Sequence, residues 1–260
     1  MPELDFNAPR LFIEAPLKGG QTVPLERNQS NYLGNVLRLS AGDSVLVFNG
    51  SDGEWLAEIA GRKRPDALVI GVLKRPQDRL PDIAYVFAPL KHARLDYMVQ
   101  KAVEMGAASL QPVLTRHTQV SRVNTERMRA NVIEAAEQCG ILSLAEVAEP
   151  VPLDRYLEQR QPTRLLVFCD EAADIANPLL ALQQGAAAAG IDIPDGIDIL
   201  IGPEGGFAEE ERTLLLRQKN ILRLSLGPRI LRADTAGVAA LALVQTALGD
   251  WTGPGAPLTA

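Results

Sequence analysis

The sequence predicts an α/β protein in two parts. A small amino-terminal β-barrel with one short helix covers residues 1–75, and a larger domain of alternating strands and helices around a mostly parallel sheet covers residues 83–250. Three observations lead there. Short β-like runs divided by turn signals fill the first 75 residues. Arg75-Pro-Gln-Asp-Arg-Leu-Pro-Asp82, with two prolines, four charges and one apolar residue, then reads as a linker over 76–82. Beyond it, apolar strands alternate with helical patterns, as in a parallel sheet covered on both faces.

In the first part the strand runs are Arg10–Glu14, Ser44–Phe48, Glu54–Ala60 and Leu68–Lys74. Turns at Lys18-Gly-Gly20, Asn49-Gly50 with Asp52-Gly53, and Arg64-Pro-Asp66 separate them, because these residue types supply turn conformations or local hydrogen bonds. Tyr32, Leu33, Val36 and Leu37 recur at helical spacing behind Ser30, which reads as a cap. After the linker the strands are Ile83–Leu90, Leu110–Leu114, Leu165–Cys169, Ile197–Ile201 and Ile221–Leu226. The helices are Leu95–Met105, Asn124–Cys139, Leu179–Ala189, Glu209–Arg217 and Thr235–Leu248, and residues 251–260 read as a frayed tail.

Composition excludes several classes. Two histidines and two cysteines leave almost nothing for a Cys/His metal cluster or a disulfide framework, so no metal is expected. MPELDFNAPR lacks the features of a secretory signal, and no apolar run reaches the roughly 18 residues of a membrane span, so a cytoplasmic protein is expected. The net charge of −6 argues against an anionic partner, yet it is unevenly spread. Residues 1–80 carry 10 basic and 10 acidic side chains, 81–130 carry 7 and 4, and 131–260 carry 9 and 18. An anionic partner should therefore meet the first half.

Two loops could carry chemistry. Leu200-Ile-Gly-Pro-Glu-Gly-Gly-Phe207 turns from a strand through three glycines into a helix opening with Glu209-Glu-Glu211. Ligands of open α/β sheets bind at such strand ends. A phosphate cradle would need a Lys and a Ser/Thr after the glycines, and the carboxylates disfavour an anion, so a neutral or cationic ligand fits better. The same glycines also suit a tight turn that holds nothing. The second loop, Leu224-Ser-Leu-Gly-Pro-Arg-Ile-Leu-Arg-Ala-Asp-Thr-Ala236, sets Arg229 and Arg232 around two apolar residues before the last helix. Guanidinium forks suit phosphate or carbonyl oxygens, and Asp234 is placed either to act there or to cap the helix.

IGPEGGF followed by LGPRILRADTA resembles the signature pair of the SPOUT, or trefoil-knot, methyltransferases, and specifically the small-subunit ribosomal RNA uridine N3-methyltransferases. Lys91-His-Ala-Arg94 with Met98–Gly106, then Pro112, Arg116 and Glu137-Gln-Cys-Gly140, extend the likeness, and residues 1–75 resemble that family's PUA-like RNA-binding barrel, with Arg10 and Leu33–Arg38 as matching positions. Two departures stand out: Ile141 where the family has Arg, and Asp234 where it has Glu.

The resemblance implies S-adenosyl-L-methionine as cofactor, held by Ile201, Gly202, Pro203, Glu204, Gly205 and Gly206 and by Leu224, Ser225, Leu226, Gly227, Arg229, Ile230 and Leu231. It implies methylation of uridine N3, of the position-1498 type, in 16S rRNA. Arg232 then stabilises charge or clamps phosphate, Asp234 is base or orienter, and Glu204 is the second candidate base. RNA contacts are expected at Arg10, Arg38, Lys91, Arg94, Arg116 and Arg122. A homodimer is implied too, with Thr235–Leu248 either an interface or a core helix. A different base or ribose 2′-oxygen as target, and a non-catalytic RNA-binding assembly factor, remain the alternatives.

Overall fold

The computed structural model describes residues 8–251 apart from 121, 176 and 189–195. The expected tail after residue 251, and the last residue of the helix expected over Leu179–Ala189, lie outside the described residues. The chain divides into two compact units, one within Met1–Arg79 together with Ala136–Leu144, the other within Leu80–Ala135 and Ala145–Ala256.

In the first unit β1 (Arg10–Phe12), β2 (Thr22–Pro24), β3 (Ser44–Phe48), β4 (Glu54–Ala60) and β5 (Ala67–Arg75) form one sheet in the order β1-β3-β4-β5-β2. The β1–β3 pair is parallel and the other pairs are antiparallel. Strand side chains alternate between faces, so Val45 and Val47, Ala57 and Ile59, and Leu68 and Ile70 turn inward onto one core. Leu33, fully buried, joins that core from a π-helical turn over Tyr32–Val36. Strand β2 escapes sequence reading because it has three residues and one inward side chain, Val23.

The helix α1 (Arg27–Asn31) starts earlier than Ser30 predicts. Glu26 is its N-cap, in a reciprocal capping box with Gln29. Ser30 lies within the helix, and its hydroxyl donates to the Pro65 carbonyl.

Arg10 is buried, which corrects the expectation that it meets RNA. Its Nε donates to Glu54 Oε1 at 2.9 Å, while Arg75 Nε holds Glu54 Oε2 at 2.8 Å. Arg75 Nη2 reaches Glu54 Oε1 and the Gly140 carbonyl as well. Ile141, the departure from the family pattern, packs against the apolar cluster of Phe48, Ala136 and Leu142.

The second unit contains β6 (Ile83–Phe87), α2 (His92–Glu104), β7 (Ser109–Leu114), most of α3 (Thr125–Cys139), β8 (Glu146–Val147), β9 (Val151–Pro152) and α4 (Leu153–Gln159). Next come β10 (Leu165–Cys169), α5 (Pro178–Ala188), β11 (Ile197–Ile201), α6 (Glu209–Leu216), β12 (Ile221–Leu224) and α7 (Ala233–Leu248). The strands run parallel in the order β12-β10-β11-β6-β7-β8, with β9 paired to β7. Every residue of β6 and β11 is buried, as central strands covered on both faces require. The pieces missed in the sequence are short, although Leu153 and Leu157, four apart and buried, carry a helical signal for α4.

This strand order decides where the site lies. Strand β10 sits between β11 and β12, so the carboxyl ends of three strands stand side by side.

Candidate functional site

A cavity of about 480 Å³ opens at those three strand ends. The β11 loop contributes Ile201–Phe207, and the β12 loop contributes Leu224–Gly227 and Arg229–Ala233. Every residue expected to hold the cofactor lines this cavity, as do Arg232 and Glu204, whereas Asp234, in the first turn of α7, is not among the lining residues. Cys169, Asp170 and Glu171 at the end of β10 line it too. Sequence reading missed these three because no glycine marks the turn after Leu-Leu-Val-Phe-Cys169.

The β11 loop is shaped by local chemistry. Gly206 takes φ 70°, a left-handed conformation that a side chain would strain, and its N–H closes a turn onto the Pro203 carbonyl at 2.9 Å. Phe207 then folds edge-on against Phe168. Glu211 accepts the Ala208 N–H at the start of α6 and the Arg116 N–H at 2.7 Å, so the β7 and β11 loops are fastened together. His117 Nδ1 lies 3.0 Å from the Gly206 carbonyl oxygen.

Around the cavity, carboxylates are held by arginines. Burial opposes ionisation of Asp170, but hydrogen bonds from Arg212 and Arg223 outweigh it and hold its carboxyl below the usual range. Burial pushes the neighbouring Cys169 thiol up to about 12, helped by the Asp170 charge, so it stays an inert thiol. Burial likewise raises the Tyr85 phenol, whose hydroxyl has no hydrogen-bond partner among the described residues. The ring fits because residue 237 is glycine, where a Cβ would fall 2.2 Å from that hydroxyl oxygen.

Arg94 joins two of the three catalytic candidates. From the first turn of α2 its Nε donates to Asp234 Oδ2 at 3.0 Å, and its Nη1 donates to Glu204 Oε1. The hydrogen bond from Arg94, against some burial, holds the Asp234 carboxyl below its usual range, and the Thr235 N–H adds to this. Asp234 is not the helix cap; Arg232 occupies that position. Arg94 is thus a bridge between two loops, and its side chain, expected to meet RNA, is 36% exposed. The Arg94 Nη2 is buried and has no hydrogen-bond partner among the described residues.

The remaining RNA candidates are exposed: Arg38 in the first unit, and Lys91, Arg116 and Arg122 in the second. Of the two second-loop arginines flanking Ile230 and Leu231, Arg229 and Arg232 are both exposed at the cavity rim, and Ile230 between them is fully exposed. Helix α7 buries Gly237, Ala240, Leu241, Val244 and Leu248, so it is a core helix on one face, while Val238, Leu243 and Ala247 flank that face half-buried. Among the described residues no helix is long and apolar enough to cross a membrane, and no group of side chains forms a metal-binding cluster.

Residues 77–245 match the RNA methyltransferase domain family, and residues 25–70 match the RNA methyltransferase PUA domain. The ribosomal RNA small subunit methyltransferase E of Rickettsia conorii is 31% identical over 239 residues, covering 91% of this chain and 94% of that protein. Its namesake from Synechocystis is 33% identical over 245 residues, covering 93% and 76%. Among solved structures, a methyltransferase of Legionella pneumophila in complex with the bound cofactor SAM superposes with a TM-score of 0.80 at 28% identity, covering 94% of this chain and 99% of that one. The methyltransferase E of Neisseria gonorrhoeae bound to S-adenosyl methionine gives 0.78 at 26%, covering 94% and 100%.

Proposed function

From the premise that this chain belongs to the RNA methyltransferase family whose members include the ribosomal RNA small subunit methyltransferases E, with its SPOUT-type α/β domain and PUA-like domain, we propose that it transfers a methyl group from S-adenosyl-L-methionine to N3 of a uridine in 16S rRNA of the small subunit. The observation that carries this reading is that both signature loops line one cavity at the ends of β10, β11 and β12. Its size suits a small-molecule cofactor. Backbone groups of Ile201–Gly206 and Leu224–Leu231 can grip adenine and ribose, and the exposed carboxylate of Glu171 favours a cation.

When bound, the cofactor supplies an electrophilic methyl on a sulfonium. The protein's work is to position the uridine, accept the imide proton and stabilise the charge that develops on the flanking carbonyl oxygens. Arg232, exposed at the cavity rim, is the charge stabiliser. Asp234, held ionised by Arg94, is a poor base and acts as an orienter. Glu204 shares Arg94 with Asp234 but is exposed and lines the cavity, and it is the carboxylate that takes the proton. Arg38, Lys91, Arg116 and Arg122 contact RNA. The chain works in the cytoplasm as a homodimer through the half-buried flank of α7, and its two loops form the family's trefoil knot.

Labelled methyl transfer to purified small subunits, free 16S rRNA and intact ribosomes, followed by mapping of the modified nucleotide, tests the reading. N3-methyluridine is the expected product. Methylation of a ribose oxygen or another base would overturn the target, and cofactor binding without transfer to any of the three would favour a non-catalytic factor. Sedimentation at dilute concentration tests the dimer, and a clean 28.1 kDa species would contradict it.

A further inference from the structure

We propose that the β4–β5 loop of the first unit, at Arg62-Lys63-Arg64, is a docking point for the phosphodiester backbone of the RNA, a site separate from the basic residues named above; the inference rests on the RNA reading of the preceding subsection. These three residues are the longest unbroken run of positive charge in the chain. All three are exposed, and among the described residues none of them is ion-paired. Two other arginines of this unit differ sharply, since Arg10 and Arg75 are consumed by Glu54. Gly61, Arg62, Lys63, Arg64 and Asp66 line a broad open recess of about 700 Å³.

The loop is held in place rather than loosely extended. Gly61 adopts φ 146°, and a Cβ there would fall 2.0 Å from the Arg64 carbonyl oxygen, so the tip folds tightly on itself. The Asp66 N–H closes the hairpin onto the Ala60 carbonyl at 3.0 Å, and the Asp66 carbonyl accepts the Leu25 N–H at 2.9 Å. Pro65 is buried, accepts the Ser30 hydroxyl through its carbonyl and packs close to Gly34. The segment on which Pro65 rests also carries exposed Arg27 and Arg38. Nearby carboxylates are partly committed: Glu26 caps α1, and Asp43 accepts the Ser40 N–H at 2.7 Å, which leaves Asp66 as the carboxylate lining the recess.

Three unpaired cations on a fixed tip, in a protein of net charge −6, form a local positive site that suits closely spaced phosphates. Arginines there add planar forks that match phosphate oxygens.

The test compares the full-length protein with the triple variant Arg62→Ala/Lys63→Ala/Arg64→Ala, using a transcript of small-subunit rRNA and purified small subunits over a salt series. The triple variant should lose about 2–3 from the slope of log affinity against log salt, and on the order of a hundredfold in affinity near 0.15 M salt. Cofactor affinity by calorimetry and thermal unfolding should be unchanged, because the loop lies outside the cofactor cavity. An unchanged slope and affinity in the variant, with a wild type that binds and methylates RNA, would overturn this inference alone. A wild type that neither binds nor methylates RNA would overturn the RNA reading and the inference with it. Weakened binding to subunits with unaltered binding to naked transcript would assign the loop to a ribosomal protein and refute the phosphate role.

Discussion

Two arginine–carboxylate clusters in this protein use the same chemistry in opposite arrangements. In the first unit one carboxylate, Glu54, sits between two arginines, and all three side chains are buried, with Glu54 only 2% exposed. In the second unit one arginine, Arg94, sits between two carboxylates, and the Glu204 end is open to solvent beside the cavity. Buried charge that cannot rehydrate must stay paired, so the first cluster is a fixed joint of β1, β4 and β5. A half-exposed bridge costs little to open, so the second can hold two loops and still release them. The surroundings of an ion pair decide which role it plays.

The largest expected effect tests the buried joint. Glu54→Ala leaves Arg10 and Arg75 buried without a counter-charge and should cost about 3–5 kcal/mol in urea unfolding; a loss below 1 kcal/mol would erase the contrast. The same cluster sets a pH dependence. Burial opposes ionisation of Glu54, but hydrogen bonds and charge from Arg75 and then Arg10 prevail and keep its carboxyl below the ordinary 4.5. Its stabilisation is therefore complete above that pH and fades as pH falls through the lower folded value. The stability gap between wild type and Glu54→Gln should shrink in acid, and a constant gap from pH 7 down to acid unfolding would contradict the assignment.

The bridge should show the reverse profile, with function affected more than stability. Arg94→Ala should slow methyl transfer by roughly a hundredfold, because both loops lose their alignment, while unfolding changes by less than about 1 kcal/mol. Full activity in this variant would make the bridge incidental. A smaller effect is expected from Asp234→Asn. An orienting carboxylate costs less than about tenfold in single-turnover rate when replaced by its amide, whereas a general base costs about 10²–10⁴. A fall in the larger range would return the base role to Asp234.

The two units also differ in how much of them the sequence disclosed. Strands β3, β4, β10 and β11 have the bounds read from their apolar runs, because glycine, asparagine or charged turns end each one sharply. Strands β2, β8 and β9 escaped, since runs of two or three residues carry no periodicity. At the site, the two glycine-bearing loops were legible from local pattern, and they do line one cavity. Cys169, Asp170 and Glu171 were not, because only the placement of β10 between β11 and β12 brings them to it. Arg10 was misassigned, and the bridge made by Arg94 went unread, for a related reason: their carboxylate partners lie 44, 110 and 140 residues away in the chain.

By itself, then, the sequence determined the two-part α/β organisation, most elements, the two signature loops and the family resemblance, since each depends on short-range periodicity, turn chemistry or motif spacing. Only the tertiary structure decided which charges are partners. It buried Arg10, turned Arg94 into a bridge, made β10 the third wall of the cavity and left Arg62-Lys63-Arg64 unpaired at a fixed tip. The physical reason is that the fate of a charge depends on its burial and on partners within a few ångströms, and the strand order, not the chain order, sets that neighbourhood.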